Sequence, residues 1–262
     1  MEMYGRVHGD LFNVLRLILP GVQLQIKFTK AKSDFYVVSS KSDTGTFFMF
    51  LDATLHVRHV KPSPDIQPDN AKVLEKVNAR YDMTRLALKT STFGSGSKFV
   101  SIDNTVLGNL SKRLLFTIQR NADFTGSAGN NSYLFKHFGL NHFVMCVNGR
   151  HVPSEGLTIY TGSAKPFTMA YQTLFNGLGI HHRNKGTQIT PTQFMTGLFM
   201  LVFDITHVGC ASDGHTSLPD NGSILIDLKF DESLAEAVTI LLYQEFDTSF
   251  QIDRLRKVTT DF

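Results

Sequence analysis

The chain has 262 residues, of which 42% are hydrophobic and 19% charged, enough apolar material for a packed core and too little charge for a disordered chain. A formal net charge of +3 is too small to argue for nucleic acid, and with no basic run longer than two or three residues the charge pattern names no partner. Two cysteines, Cys146 and Cys210, are read as too few for a disulfide framework or a four-ligand zinc site, and are expected to stay reduced, as in assembly inside a cell.

The apolar run Val14 to Val22 is interrupted by Arg16 and Pro20 and lacks a small-residue cleavage pattern, so it does not read as a signal peptide. Leu198 to Phe203 is far shorter than the ~20 residues a membrane span needs. The chain is therefore expected to be soluble, without a membrane span.

In chain order, strand signals come first. Val22, Leu24, Ile26 and Phe28 alternate with Gln23, Gln25, Lys27 and Thr29, the period-two pattern of a half-buried strand. Asp34 to Val38 reads as a short strand, and Leu51, Ala53, Leu55 and Val57 alternate again. These strands cannot close a sandwich alone, because a small isolated sheet is marginal. Pro62, Pro64 and Pro68 mark 62–70 as an extended connector, dividing the chain into 1–61 and 71–262. Asp69 is placed to cap a short helix carrying Ala71, Leu74, Val77 and Tyr81.

Beyond it, strands are expected at Arg85–Thr90, Lys112–Gln119 and Leu140–Val147, the last ending in the tight-turn pair Asn148-Gly149. Loops are expected at Phe93–Lys98 and Asn121–Ser132. Ser163 and Pro166 suit the start of one long helix, whose stripe is Phe167, Ala170, Tyr171, Leu174, Phe175 and Leu178. Gly177 and Gly179 end it. Gly197 to Thr206 is apolar on both faces and reads as a central strand. Ser223–Asp231 places Ile224, Ile226, Leu228 and Phe230 on one face. Val238, Ile240, Leu242 and Phe246 continue the pattern up to a turn at Asp247-Thr248, with Phe250 and Ile252 beyond it. The short link between those two runs suggests neighbours in one antiparallel sheet. The sum is all-β: an antiparallel jelly-roll sandwich of about eight strands with one inserted helix.

Catalytic lookalikes are weak. His8-Gly9-Asp10 with His137 or His142 has the composition of a facial triad for non-heme Fe(II), a chemistry that jelly rolls can host. Yet 10 His and 23 acidic residues generate about one His-x-Asp/Glu pair by chance. Gly94-Ser95-Gly96-Ser97-Lys98 lacks phosphate-loop spacing, and a strand-like Phe99-Val100 follows it. His207, Cys210, Asp213 and His215 share one loop, as do His181 and His182, whereas metal sites gather ligands from fixed elements. Ser111, Ser154 and Ser163 lack a nucleophile elbow. No catalytic, cofactor or metal residue is assigned, and an enzyme is not expected. The alternatives are an Fe(II)-dependent oxygenase using His8 and Asp10, and a glycan-binding sandwich.

A faint internal echo links Leu19-Pro20-Gly21 and the run to Phe28 with Leu218-Pro219, Gly222 and the run to Phe230. Several short runs also resemble one family in the same order along nearly the whole chain. They include Gly5-Arg6-Val7-His8-Gly9-Asp10-Leu11-Phe12, Gly21 to Lys27, Leu55-His56-Val57-Arg58, Leu110-Ser111-Lys112-Arg113 and Phe135 to Asn141. Val147-Asn148-Gly149, Val152-Pro153-Ser154, Phe203-Asp204-Ile205-Thr206 and Glu245-Phe246-Asp247 through Arg254 to Asp261-Phe262 continue the series. This collinear set resembles the double jelly-roll major capsid proteins of Polinton/Maverick elements and the related adintoviruses.

The resemblance implies a viral structural protein with two fused jelly rolls, homotrimeric capsomers, an icosahedral virion shell, neighbouring capsomers and a minor capsid (penton) protein as partners, and no specific nucleic acid. It implies further that 1–61 holds the C-terminal strands of a truncated first jelly roll and 71–262 the second, so that the chain is a C-terminal portion. The loops 121–132, 180–193 and 207–222 are expected on the outer surface or at intersubunit seams.

Overall fold

The computed structural model describes residues 3–14, 16–38, 49–127, 129–159, 167–181, 183–212, 218 and 220–261. Nine strands are assigned among them: β1 (Ala79–Phe93), β2 (Phe99–Asn109), β3 (Arg113–Arg120), β4 (Leu140–Val147), β5 (Arg150–Thr158), β6 (Met200–Asp204), β7 (Asn221–Phe230), β8 (Val238–Ile252) and β9 (Val258–Asp261). The helices are short: α1 (Ser33–Tyr36), α2 (Ile66–Leu74), α3 (Asn121–Thr125), α4 (Thr168–Gly177) and α5 (Pro191–Thr196), with a 3₁₀ turn at Asp10–Asn13.

The strands form two antiparallel sheets. One runs β1-β8-β3-β6, with β9 added alongside β8; the other runs β2-β7-β4-β5. Strands one, eight, three and six in one layer and two, seven, four and five in the other is the order of a jelly roll, two interlocked Greek keys. This confirms the expected fold class.

The period-two patterns explain why the layers pack. Leu114, Phe116 and Ile118 of β3, Ile224, Ile226, Leu228 and Phe230 of β7, and Val238, Ile240 and Leu242 of β8 all point inward and are buried. Phe143 of β4 stacks against Phe203 at 5.0 Å and meets the edge of Phe116 at 4.9 Å. Offset and edge-to-face contacts of this kind let the ring quadrupoles attract as the apolar area leaves water. The β4–β5 turn is tight as expected: Asn148 and Gly149 both have positive φ, 50° and 80°, the backbone of a type I′ hairpin.

Several expectations are corrected. The β7 and β8 runs are not sheet neighbours; the link after Phe230 crosses between layers, anchored by buried Leu234, whose amide donates to the Ser97 carbonyl. β8 is continuous through Asp247-Thr248 rather than broken there. β6 is not central but lies at the end of its sheet, and its outer face is buried because α4 covers it. β2 was announced only by Phe99-Val100, and α3 and α5 lie where loops were expected. The helix expected from Asp69 begins earlier, at Ile66 inside the proline-rich connector, with Pro68 in its first turn where no amide partner is needed. Tyr81 belongs to β1. Ser163 and Pro166 fall outside the described residues, and α4 begins at Thr168 after Phe167.

The chain divides into two compact units. One comprises Met1–Lys30, Phe47–Arg85 and Asp247–Phe262; the other comprises Ala31–Thr46 and Leu86–Phe246 and contains the main core. In the first unit Tyr81 stacks on Phe250 at 4.7 Å with rings nearly parallel, beside Ile252. Leu11, Val14, Leu19 and Val22 pack against this pair, and the Tyr81 hydroxyl donates to the Leu17 carbonyl at 3.2 Å. The alternating runs 22–28 and 51–57 are not strands in the structure, nor is 34–38, part of which is α1. Among the described residues no neighbouring strand supplies their ladder, and Leu24, Phe28, Leu55 and Val57 are exposed.

Candidate functional site

A polar cluster of the second unit sits at one end of the sandwich, where β3, β6 and β8 meet the C-terminus of α4. Arg113 opens β3 on its outward face. Its Nη1 donates to Glu245 Oε2 at 2.6 Å across the β3–β8 pair, and its Nε donates to the Gly177 carbonyl at 2.7 Å. Its Nη2 donates to Ser212 Oγ, which in turn donates to the Leu178 carbonyl at 2.9 Å. The guanidinium thus ties the end of a helix, whose last carbonyls lack intrahelical partners, to a loop and a strand. Both charged side chains are mostly buried, 13% and 19% exposed, so the pair rather than the solvent satisfies them.

Asp204, the last residue of β6, organises the next loop. One carboxylate oxygen accepts from the Thr206 amide and hydroxyl, the other from the Ala211 amide. The Cys210 amide donates to Thr206 Oγ1 at 2.8 Å, and the Cys210 side chain is buried. Asn148, at the β4–β5 turn, accepts from the Ser223 amide at 3.0 Å and so pins the hairpin to β7. These bonds fix loops 109–112, 148–149 and 205–212 at a common end. Val208 and Leu218 there are exposed at 83% and 91%, and His207 Nε2 lies 3.5 Å from Asp220 Oδ2. The opposite end carries loop 94–98, α3 and His137.

His137 is half-buried, its ring edge-on to Phe199. Burial pushes its pKa below 6.5, and the nearby Asp231 carboxylate opposes that only in part. Nδ1 accepts from the Gly139 amide at 3.0 Å, which requires that nitrogen to be unprotonated and places the proton of the neutral ring on Nε2. The residues between His137 and β4 turn through left-handed Phe138 and Gly139, so this bond holds the turn that launches the strand.

Among the described residues these bonds fasten loops. His8 is exposed and Asp10 opens the 3₁₀ turn, both in the first unit, whereas His137 and His142 belong to the second. Among the described residues no group of three His, Cys, Asp or Glu side chains is placed to hold a metal ion. Asp213, His215 and His182 lie outside the described residues; His181 Nδ1 is 2.8 Å from Gln172 Nε2. The Gly94–Lys98 loop leads into β2, not a helix, and the Gly96 amide is spent on the Leu234 carbonyl. The Arg113–Glu245 pair was missed from sequence: the residues are far apart in the chain, and only the β3–β8 register aligns them.

No family model matches the chain, and no curated protein matches it. Solved structures do. The chain is similar to the PBCV-1 virus capsid, at 9% identity and a TM-score of 0.42, over 74% of this chain and 54% of that one. It is similar to a chain of the Sputnik virophage at 13% identity and 0.38, over 71% and 39%. It is similar to the mavirus major capsid protein at 7% identity and 0.39, over 71% and 41%. The chain therefore spans about half the length of these structures or less. Likeness at this level carries no functional argument, and the fold rests on the strand order.

Proposed function

We propose that this chain is a shell-building protein: a viral major capsid protein, or an integrated portion of one, of the Polinton/Maverick and adintovirus type. The observation that supports it is the jelly-roll strand order, the fold that the collinear sequence resemblance implies. Its work is packing. Rigid sheets present loops at both ends, and loops 121–132, 180–193 and 207–222 are the proposed contacts between subunits and with a minor capsid (penton) protein. Homotrimers then assemble into an icosahedral shell in the virion.

On this reading residues 1–61 are the last part of a first jelly roll, 62–70 the connector and 71–262 the second. The exposed apolar faces of 22–28 and 51–57 support that division, because strands of a sandwich need a partner layer. Expression with and without the coding sequence upstream of Met1, followed by light scattering and electron microscopy, tests it. Threefold particles of hexagonal outline are expected once the upstream half is present. Monomers in both preparations would overturn it.

A further inference from the structure

One face of the first unit combines an apolar cavity with an unanswered charge. The cavity holds about 120 Å³ and is lined chiefly by Leu19, Val73, Leu74, Val77 and Ala79. That is the size class for one apolar side chain, since a cavity of roughly 150 Å³ takes up benzene. Two residues beyond Leu19, Gly21 lies against Arg256; a Cβ on Gly21 would touch the arginine Cγ and Nε at 3.7 Å.

Arg256 sits at the β8–β9 turn with φ +64°, a conformation that costs a non-glycine residue energy. The turn is fixed by Asp253, whose carboxylate accepts from the Lys257 amide at 2.8 Å and whose carbonyl accepts from the Arg256 amide at 3.1 Å. Yet the Arg256 guanidinium makes no hydrogen bond or ion pair among the described residues, and its Nη1 is buried. A buried, unpaired donor on a cation is costly, and Arg256 as a whole is half-exposed, so an acidic acceptor arriving from outside can pair with the rest of its guanidinium. Arg254, which reaches Glu75 at 3.9 Å, places the same turn beside α2 and the cavity.

The same chain carries the complement. Phe50 and Leu51 are exposed at 65% and 87%, and Asp52 follows them. The Asp52 carboxylate accepts only from the Ala53 amide, with no cation beside it among the described residues. We propose that Leu51 of a second copy fills the cavity while the second copy's Asp52 pairs with Arg256. The contact is heterologous, one patch meeting a different patch, so copies add head to tail and close into a ring when the rotation allows.

The proposal takes its setting from the shell-building reading, and its test stands apart from particle formation. Sedimentation velocity over a concentration series would compare wild type with Arg256→Glu, Asp52→Lys, the double variant and Leu51→Ser. Each single charge variant is expected to lower the self-association constant roughly thirtyfold, the loss of one charge pair, Leu51→Ser to lower it as well, and the double charge swap to restore it to within about threefold. Unchanged circular dichroism and thermal unfolding would show that the variants fold. Failure of the double variant to recover, or a wild type that stays monomeric throughout, overturns the contact, the latter pointing to a cover supplied within a longer polypeptide. Shells formed by wild type and by Arg256→Glu alike would reject the contact and leave the shell reading standing.

Discussion

At the scale of single residues, two side chains bind distant parts of the sandwich through chemistry that can be measured. Arg113 and Glu245 satisfy each other in a mostly buried setting, so removing either leaves a stranded charge. Glu245→Gln is expected to lower unfolding free energy by about 3 kcal/mol, read as a fall in the urea midpoint at unchanged slope. His137 acts through its neutral form. Its folded pKa lies below 6.5, so as pH falls through 6.5 the unfolded chain takes up the proton first. The stabilisation is complete above that value and is lost as pH falls toward the folded pKa. Urea midpoints at pH 7.5 and 5.5 should therefore drop more for wild type than for His137→Gln. Equal drops would mean the ring is not held neutral.

At the scale of elements, α4 shows how a helix determines the character of a strand. Its apolar stripe, Ala170 and Leu174 above all, was legible from spacing of three and four residues, and both are buried. What lies beneath it was not. Gly177 lets the helix touch β6 so closely that a Cβ would collide with the Val202 carbonyl, and Thr173 Oγ1 accepts from the Val202 amide at 3.4 Å. The two-faced hydrophobicity of Leu198–Phe203 signals burial on both sides, but not whether sheet or helix provides the second cover. Gly177→Ala is expected to cost about 2 kcal/mol through displaced backbone, visible as a lowered melting temperature, although alanine is the better helix former. The link between β7 and β8 teaches the same lesson. Period two fixes which face is inward, whereas membership of a layer depends on where the chain crosses.

At the scale of the whole molecule, the core between the sheets carries the stability. Phe116 is fully buried and meets Phe143, so Phe116→Ala should cost about 4 kcal/mol, enough to unfold a marginal domain in a thermal melt.

The apolar patterns along Lys112–Gln119, Leu140–Val147, Ser223–Asp231 and Val238–Phe246 by themselves determined that these segments are strands and which side chains they bury, whereas the continuity of β8 through Asp247-Thr248 was not written there. A side chain's preference for water or for its absence is a local property, and the two-residue repeat writes it directly into the chain. Tertiary structure alone decided the rest: the one-eight-three-six and two-seven-four-five layers, the edge position of β6, the Arg113–Glu245 pair, and the unpaired state of 22–28 and 51–57. A strand exists only when another backbone meets its amides and carbonyls, and which backbone that is depends on contacts between residues far apart in the sequence.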